Sequence, residues 1–269
     1  MKRITGIFLA LLMLFSLTAC GGEKTEQPTG DEIVCSFFVL SELYEQEYKA
    51  EDGTTLARCH YELPDLEITH DLAANAQMFA AQQTFNAEME RQRNEQIDFF
   101  GTLCDAARED YAYMSENGLD WNAYADEMTM QSPYQTDGGL LSIYAAAYCY
   151  TGGAHPTNGF ATWNYDLNEG KFLQYSDFTD DEAAFRAAAA NEILTQIDEE
   201  GIAEGLFEDY EASVRKLSFA EPLFNADGMV VCFPEYILGP HAAGLLSFIV
   251  PYETINGTMN DYGRALLNL

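Results

Sequence analysis

Between His70 and Ser115 the chain contains no proline and a single glycine, Gly101. A stretch of that length without a breaker is expected to be helix, and it follows segments of the opposite character. Ile33 to Tyr48 and Thr54 to Leu63 are rich in aromatic and β-branched residues. Glu51-Asp52-Gly53 lies between them, which is the pattern of a hairpin, and Pro64-Asp65 is expected to close the second strand. Along the helical stretch Leu72, Ala76, Phe79, Ala80 and Gln83 form one apolar stripe, and Ile97, Phe100, Leu103, Cys104 and Ala107 continue it, on one long helix or two. The polar run 88–93 falls on the wet face.

Residues 118–136 are of mixed character and are expected to be loop. Leu140 to Tyr150, Phe160 to Leu167 and Lys171 to Tyr175 read as strands, the last two joined by a turn at Asn168-Glu169-Gly170. Thr179-Asp180-Asp181-Glu182 has the form of a capping box with Thr179 as N-cap. It would open an alanine-rich helix over 180–199 that Gly201 stops. Met229 to Phe233 and Gly244 to Val250 complete the strands. The predicted fold class is α+β, antiparallel sheets with long helices packed on them; no βαβ alternation is evident, which disfavours a Rossmann-like fold.

The N-terminus points outside the cytoplasm. Lys2 and Arg3 precede an apolar run from Ile4 to Leu17, too short and too early for a spanning helix, so residues 1–19 read as a secretory signal. Leu17-Thr18-Ala19-Cys20 places a cysteine directly after small residues, the arrangement of a lipoprotein signal. Acylation of Cys20 would anchor the chain to the extracytoplasmic face of the cell membrane, each buried methylene contributing about 0.8 kcal/mol. Residues 20–31 lack apolar anchors and are expected to be a tether. The folded part then divides into an N-terminal half, 32–136, and a C-terminal half, 137–269.

Charge narrows the partners. The chain has 44 acids and 13 bases, and without Lys2 and Arg3 the balance is 44 against 11, or −33. A surface of that sign excludes nucleic acid and does not adhere to anionic lipid, so membrane attachment falls to the lipid on Cys20. It suits a cationic partner, and equally it keeps an exported protein soluble. Besides Cys20, the five cysteines Cys35, Cys59, Cys104, Cys149 and Cys232 show no C-x-x-C spacing; at most two bridges can form among them, and a buried free thiol is the simplest state of each.

No catalytic constellation is legible. His60, His70, His155 and His241 show neither H-E-x-x-H nor H-x-x-H spacing, and Ser142 and Ser247 lack a G-x-S-x-G elbow. His155 and His241 both sit in turn-forming segments and could meet, with Asp166 as a third zinc ligand; alternatively His155 is a turn residue between Gly152-Gly153 and Pro156. Tyr144, Tyr148 and Tyr150 share one strand face, with Trp163 on a neighbouring strand. They form either a contact strip for sugars or protein, or the wall of a core. The acidic runs 198–200 and 208–209 read as solvated helix ends, with calcium as the alternative.

Four blocks carry a family resemblance. Tyr150-Thr151-Gly152-Gly153-Ala154-His155-Pro156 is followed by Trp163 to Leu167 with Gly170-Lys171, then by Leu173 to Phe178. The fourth block is Asp227 to Phe233 leading to Glu235-Tyr236-Ile237-Leu238-Gly239-Pro240-His241 and on to Phe248-Ile249-Val250-Pro251-Tyr252. In this order they resemble the RsiV-type extracytoplasmic domain, and residues 33–116 resemble its companion N-terminal half more loosely. The chain departs from the family pattern at Leu238-Gly239 and at His241, where tyrosine is usual. The resemblance implies a domain found in lysozyme-sensing anti-sigma factors and beside PdaC-type peptidoglycan deacetylases. It therefore suggests a non-catalytic binding or sensing lipoprotein without cofactor or resident metal, expected to be the binding part alone, with no sigma-binding or deacetylase segment. Its partner would be a basic, lysozyme-like protein or, alternatively, peptidoglycan; a wall-modifying hydrolase is the remaining reading. Candidate ligand-binding residues are Tyr150, His155, Trp163, Tyr236 and His241.

Overall fold

The computed structural model describes residues 36–69, 76–131, 133–217 and 221–269. The signal, the tether, Cys20, Cys35 and His70 lie outside them. The first strands, β1 (Ser36–Lys49) and β2 (Thr55–Thr69), form the expected hairpin. β2 does not stop at Pro64: Pro64 pairs across from Ser41 and the strand runs on to Thr69. Proline is tolerated there because the other neighbour of β2 reaches only to Glu62, so the flank without an N–H faces no partner.

Helix α1 (Ala76–Glu116) is one unbroken element of 41 residues, about 60 Å at 1.5 Å per residue. Its buried stripe is Ala81, Phe85, Met89, Phe100, Leu103 and Ala107. The second half of the expected stripe therefore holds, but the first half is rotated and Phe79 is exposed. Alanine lies on every side of this part of the helix and blurs the phase. The aromatic partners decide it: Phe85 packs edge-on to Tyr165 at 5.2 Å and against Phe172 at 5.6 Å.

After α1 come β3 (Tyr124–Met130) and β4 (Tyr134–Gln135), where loop was expected, then β5 (Leu140–Tyr150), β6 (Thr157–Asp166) and β7 (Lys171–Phe172). The large sheet has the order β1-β2-β3-β5-β6-β7, with β4 on β5, and all its pairs are antiparallel except β2 with β3. That parallel pair needs a long crossover, and α1 supplies it, so one β-α-β unit sits inside an otherwise antiparallel sheet. The sheet also runs across residue 136, since β3 pairs with β5.

Helix α2 (Glu182–Glu200) is capped by Asp181, whose side chain accepts from the Ala184 N–H at 3.0 Å, rather than by Thr179. Thr179 instead donates to the Thr258 carbonyl at 2.5 Å. Gly201 ends the helix at φ 68. Helix α3 (Tyr210–Lys216), strands β8 (Leu223–Phe224), β9 (Gly228–Phe233) and β10 (Leu246–Pro251), and helices α4 (Tyr252–Ile255) and α5 (Asp261–Leu267) follow. The small sheet, β10-β9-β8, shares a core with α2 built on Phe178, Phe185, Ile193, Phe224, Val231 and Val250. The large sheet packs one face on α1. A buried polar staple joins the sheets. Ser142 donates to Asn164 Oδ1 at 2.7 Å and accepts from the Phe224 N–H at 2.9 Å, while Asn164 donates to the Pro222 carbonyl. No helix among the described residues is long and apolar enough to cross a membrane.

Candidate functional site

The large sheet has two unlike faces. Ala57, Cys59 and Tyr61 on β2 pack under α1, so Arg58, His60 and Glu62 face the other way. The strand register aligns one row on this open face: Glu45 opposite His60, His60 opposite Glu127, Glu127 opposite Tyr148, and Tyr148 opposite Asn158. The row crosses five strands, about 19 Å at 4.8 Å per step. It is cut by two adjoining hollows that share Glu127 and Thr129. One is about 640 Å³ and is bounded by Glu45, Glu47, Arg58 and His60; the other is about 350 Å³ and is bounded by Tyr148, Asn158 and Glu235. Together they form a trough whose carboxylates outnumber its cations.

At the β1 end His60 Nδ1 meets Glu45 Oε1 at 2.8 Å, and its Nε2 lies 3.5 Å from Glu62. At the far end Asn158 meets the loop after β9. Its backbone N–H and Nδ2 donate to Glu235 at 3.2 and 2.8 Å, and Glu235 Oε2 also meets His241 Nδ1 at 3.2 Å. The Glu235 side chain is 3% exposed. Burial alone would raise its pKa, but the bonds from Asn158 and His241 outweigh it and hold the carboxyl below the ordinary glutamate value.

His155 and His241 do come together. Their rings stack at 3.7 Å between centroids, 14° from parallel. Two loops bring them there. Gly152 and Gly153, at φ 86 and 89, turn the β5–β6 connection so that His155 reaches the loop carrying His241. Tyr236 adds a third ring, 6.0 Å from His241. It is 52% exposed and held at φ 66, a backbone region uncommon for a side chain of this size.

Of the other candidates, Tyr150 sits at the base of the same loop and donates to the Gly153 carbonyl at 3.2 Å. Trp163 belongs to the opposite face: it is 6% exposed in the core under α1 and donates to Gln92 Oε1 at 3.0 Å. Its neighbour across the strands is Ile143, of opposite parity to the tyrosines, so it stands apart from the trough. Asp166 is also elsewhere. It accepts from the Asn168 and Glu169 N–H groups and from the Tyr262 hydroxyl, so the His155–His241–Asp166 set does not assemble. No cluster of three metal-ligating side chains suited to an ion occurs among the described residues. Glu45, His60, Glu127, Asn158 and Glu235 escaped the sequence reading. Glu127 lies on β3, which was expected to be loop, and for the other strands which residues stand side by side depends on pairing.

Comparison with known proteins agrees with this architecture. Residues 52–158 match the family model described as Deacetylase PdaC, and residues 176–253 match the one described as Protein of unknown function (DUF3298). No curated protein matches the chain. The crystal structure of a DUF3298 family member from Bacteroides fragilis NCTC 9343 is 13% identical with a TM-score of 0.63, covering 86% of this chain and 96% of that one. A DUF3298 family protein from Pseudomonas aeruginosa PAO1 is 15% identical with a TM-score of 0.54, covering 84% and 96%. The chain is thus similar to the PdaC model in one stretch and to the DUF3298 model in the next, and shares the fold of the solved DUF3298 proteins.

Proposed function

We propose that this is an envelope lipoprotein, exported and acylated at Cys20, that binds a basic protein of lysozyme-like character in the trough and acts as a non-catalytic binding or sensing module. The observation that carries the reading is the acidic row. Glu45, Glu47, Glu127 and Glu235 line the two adjoining hollows, where Arg58 is the one cation and His60 the other basic side chain, and the Glu127 side chain makes no hydrogen bond or ion pair among the described residues. An open field of one sign speeds encounter with a partner of the other sign and weakens with salt. The four blocks shared with RsiV-type domains point to the same class of ligand.

Two features support a non-catalytic site. Glu235 is committed to Asn158 and His241, and Cys59, the thiol next to His60, packs under α1 on the other face with its pKa pushed up by burial to about 12. A second reading, a wall-glycan binder, is favoured by the half-exposed ring column of Tyr236, His241 and His155, since flat rings stack on sugars.

The test is binding of purified hen lysozyme. Affinity is expected to fall by about tenfold or more between about 50 and 500 mM salt. Glu47→Gln and Glu127→Gln are each expected to weaken it by about 1.5- to 5-fold, the range of exposed charge pairs. Binding indifferent to salt, or retained by peptidoglycan sacculi alone, would overturn the basic-protein reading. For the anchor, Cys20→Ala expressed in bacteria is expected to move the protein from the membrane fraction to the soluble exported fraction. An unchanged distribution would refute acylation at Cys20.

A further inference from the structure

We propose that the smaller hollow is a seat for one arginine side chain of the partner, an assignment that rests on reading the trough as a docking face for a basic protein. At about 350 Å³ it lies at the small end of ligand pockets, too small for a folded segment or a glycan chain and suited to one long side chain. Its floor is small, with Ala146 across from Thr129 and next but one to Tyr148 on β5, so a slender apolar stem can lie along it.

Two carboxylates line it. Glu127 is unpaired among the described residues, and Glu235 Oε1 accepts only from Asn158 Nδ2, which leaves it a free lone pair. Tyr148, whose strand neighbours are Glu127 on one side and Asn158 on the other, supplies an aromatic wall between them.

These features discriminate between cations. A lysine ammonium is compact and strongly hydrated, and a floor of alanine and glycine offers few oxygens to replace its water. A guanidinium is flat, weakly hydrated and carries five donors. It can stack on Tyr148 while its edges reach Glu127 on one side and Glu235 on the other. The buried bonds of Glu235 to Asn158 and His241 keep that carboxylate ionised and fixed before the guest arrives.

The experiment titrates the whole chain with N-acetyl-arginine amide, N-acetyl-lysine amide and N-acetyl-norleucine amide, following backbone amide shifts, with lysozyme binding measured in parallel. The arginine probe is expected to saturate and to bind about tenfold tighter than the lysine probe, as a planar donor does over a point charge. Norleucine is expected to leave the shifts unmoved. Ala146→Leu fills the floor and should abolish arginine binding; Glu127→Gln, a change without a packing cost, should weaken it by about 1.5- to 5-fold. Glu109→Gln, on an exposed position of α1 across the sheet from the trough, should leave it unaltered. Equal affinity for arginine and lysine, no saturable arginine binding, or insensitivity to Glu127→Gln would each overturn the proposal. Salt-sensitive lysozyme binding without arginine binding would sink the arginine seat alone. Arginine binding without any lysozyme binding would sink the broader reading and leave the seat standing.

Discussion

Asp126 is a buried carboxyl of the large sheet. It stands between Cys59 and Cys149 in a row across β2, β3 and β5, on the face covered by α1, and is 7% exposed. Burial raises its pKa, and the hydroxyl of Tyr61, which donates to Asp126 Oδ2, offsets only part of that. The unfolded chain therefore loses this proton before the folded chain does. Stability falls as pH climbs from the ordinary aspartate range, about pH 4, through the raised folded value, and the penalty is complete above it. Asp126→Asn keeps an acceptor for Tyr61 and removes the charge. Urea unfolding should show it more stable than the parent at pH 7 and nearly equal at about pH 4; the same difference at both would mean that ionisation is not the cause. Burial likewise lifts the thiols of Cys149 and Cys232 to about 11, and the four described cysteines are free.

At the scale of elements, α1 is held to the sheet by few large groups. Phe85 is fully buried between Tyr165 and Phe172. Phe85→Ala is expected to cost about 3–5 kcal/mol in chemical denaturation, whereas Phe99→Ala, on an exposed position, should cost little. A similar loss at both positions would mean that the helix does not pack as described. The same elements show what the sequence disclosed. The β1–β2 hairpin, β5, β6, β9 and β10 announced themselves by turn residues and β-branched or aromatic content. β3 did not, because Tyr124, Ala125 and Asp126 are all buried in succession and no alternation survives. Asp126 lies inside, and its partner Tyr61 is 65 residues away. Pro64 misled for a comparable reason, since its tolerance depends on where β3 ends. At the site, glycines and proline marked the loops of His155 and His241, but the acidic row depends on cross-strand register and was invisible.

For the whole molecule, a net charge of −31 works against its own compactness. Screening should relieve this. Calorimetry of the folded chain is expected to show Tm rising by about 2–6 °C from low to moderate salt, corresponding to about 1–2 kcal/mol of recovered stability. A Tm that stays flat or falls would mean that the acids are already neutralised by neighbours. The ion pairs among the described residues, such as Arg93 with Glu42 at 2.9 Å, do not do that, since 13 bases cannot neutralise 44 acids.

The smaller hollow takes Glu127, Ala146 and Tyr148 from the stretch matching the PdaC family, and Glu235, Gly244 and Leu245 from the stretch matching DUF3298. Neither stretch encloses it alone. A gene rearrangement that moved one without the other would hand its recipient a half-built wall, so whatever selection acts on this cavity also acts to keep the two stretches inherited together.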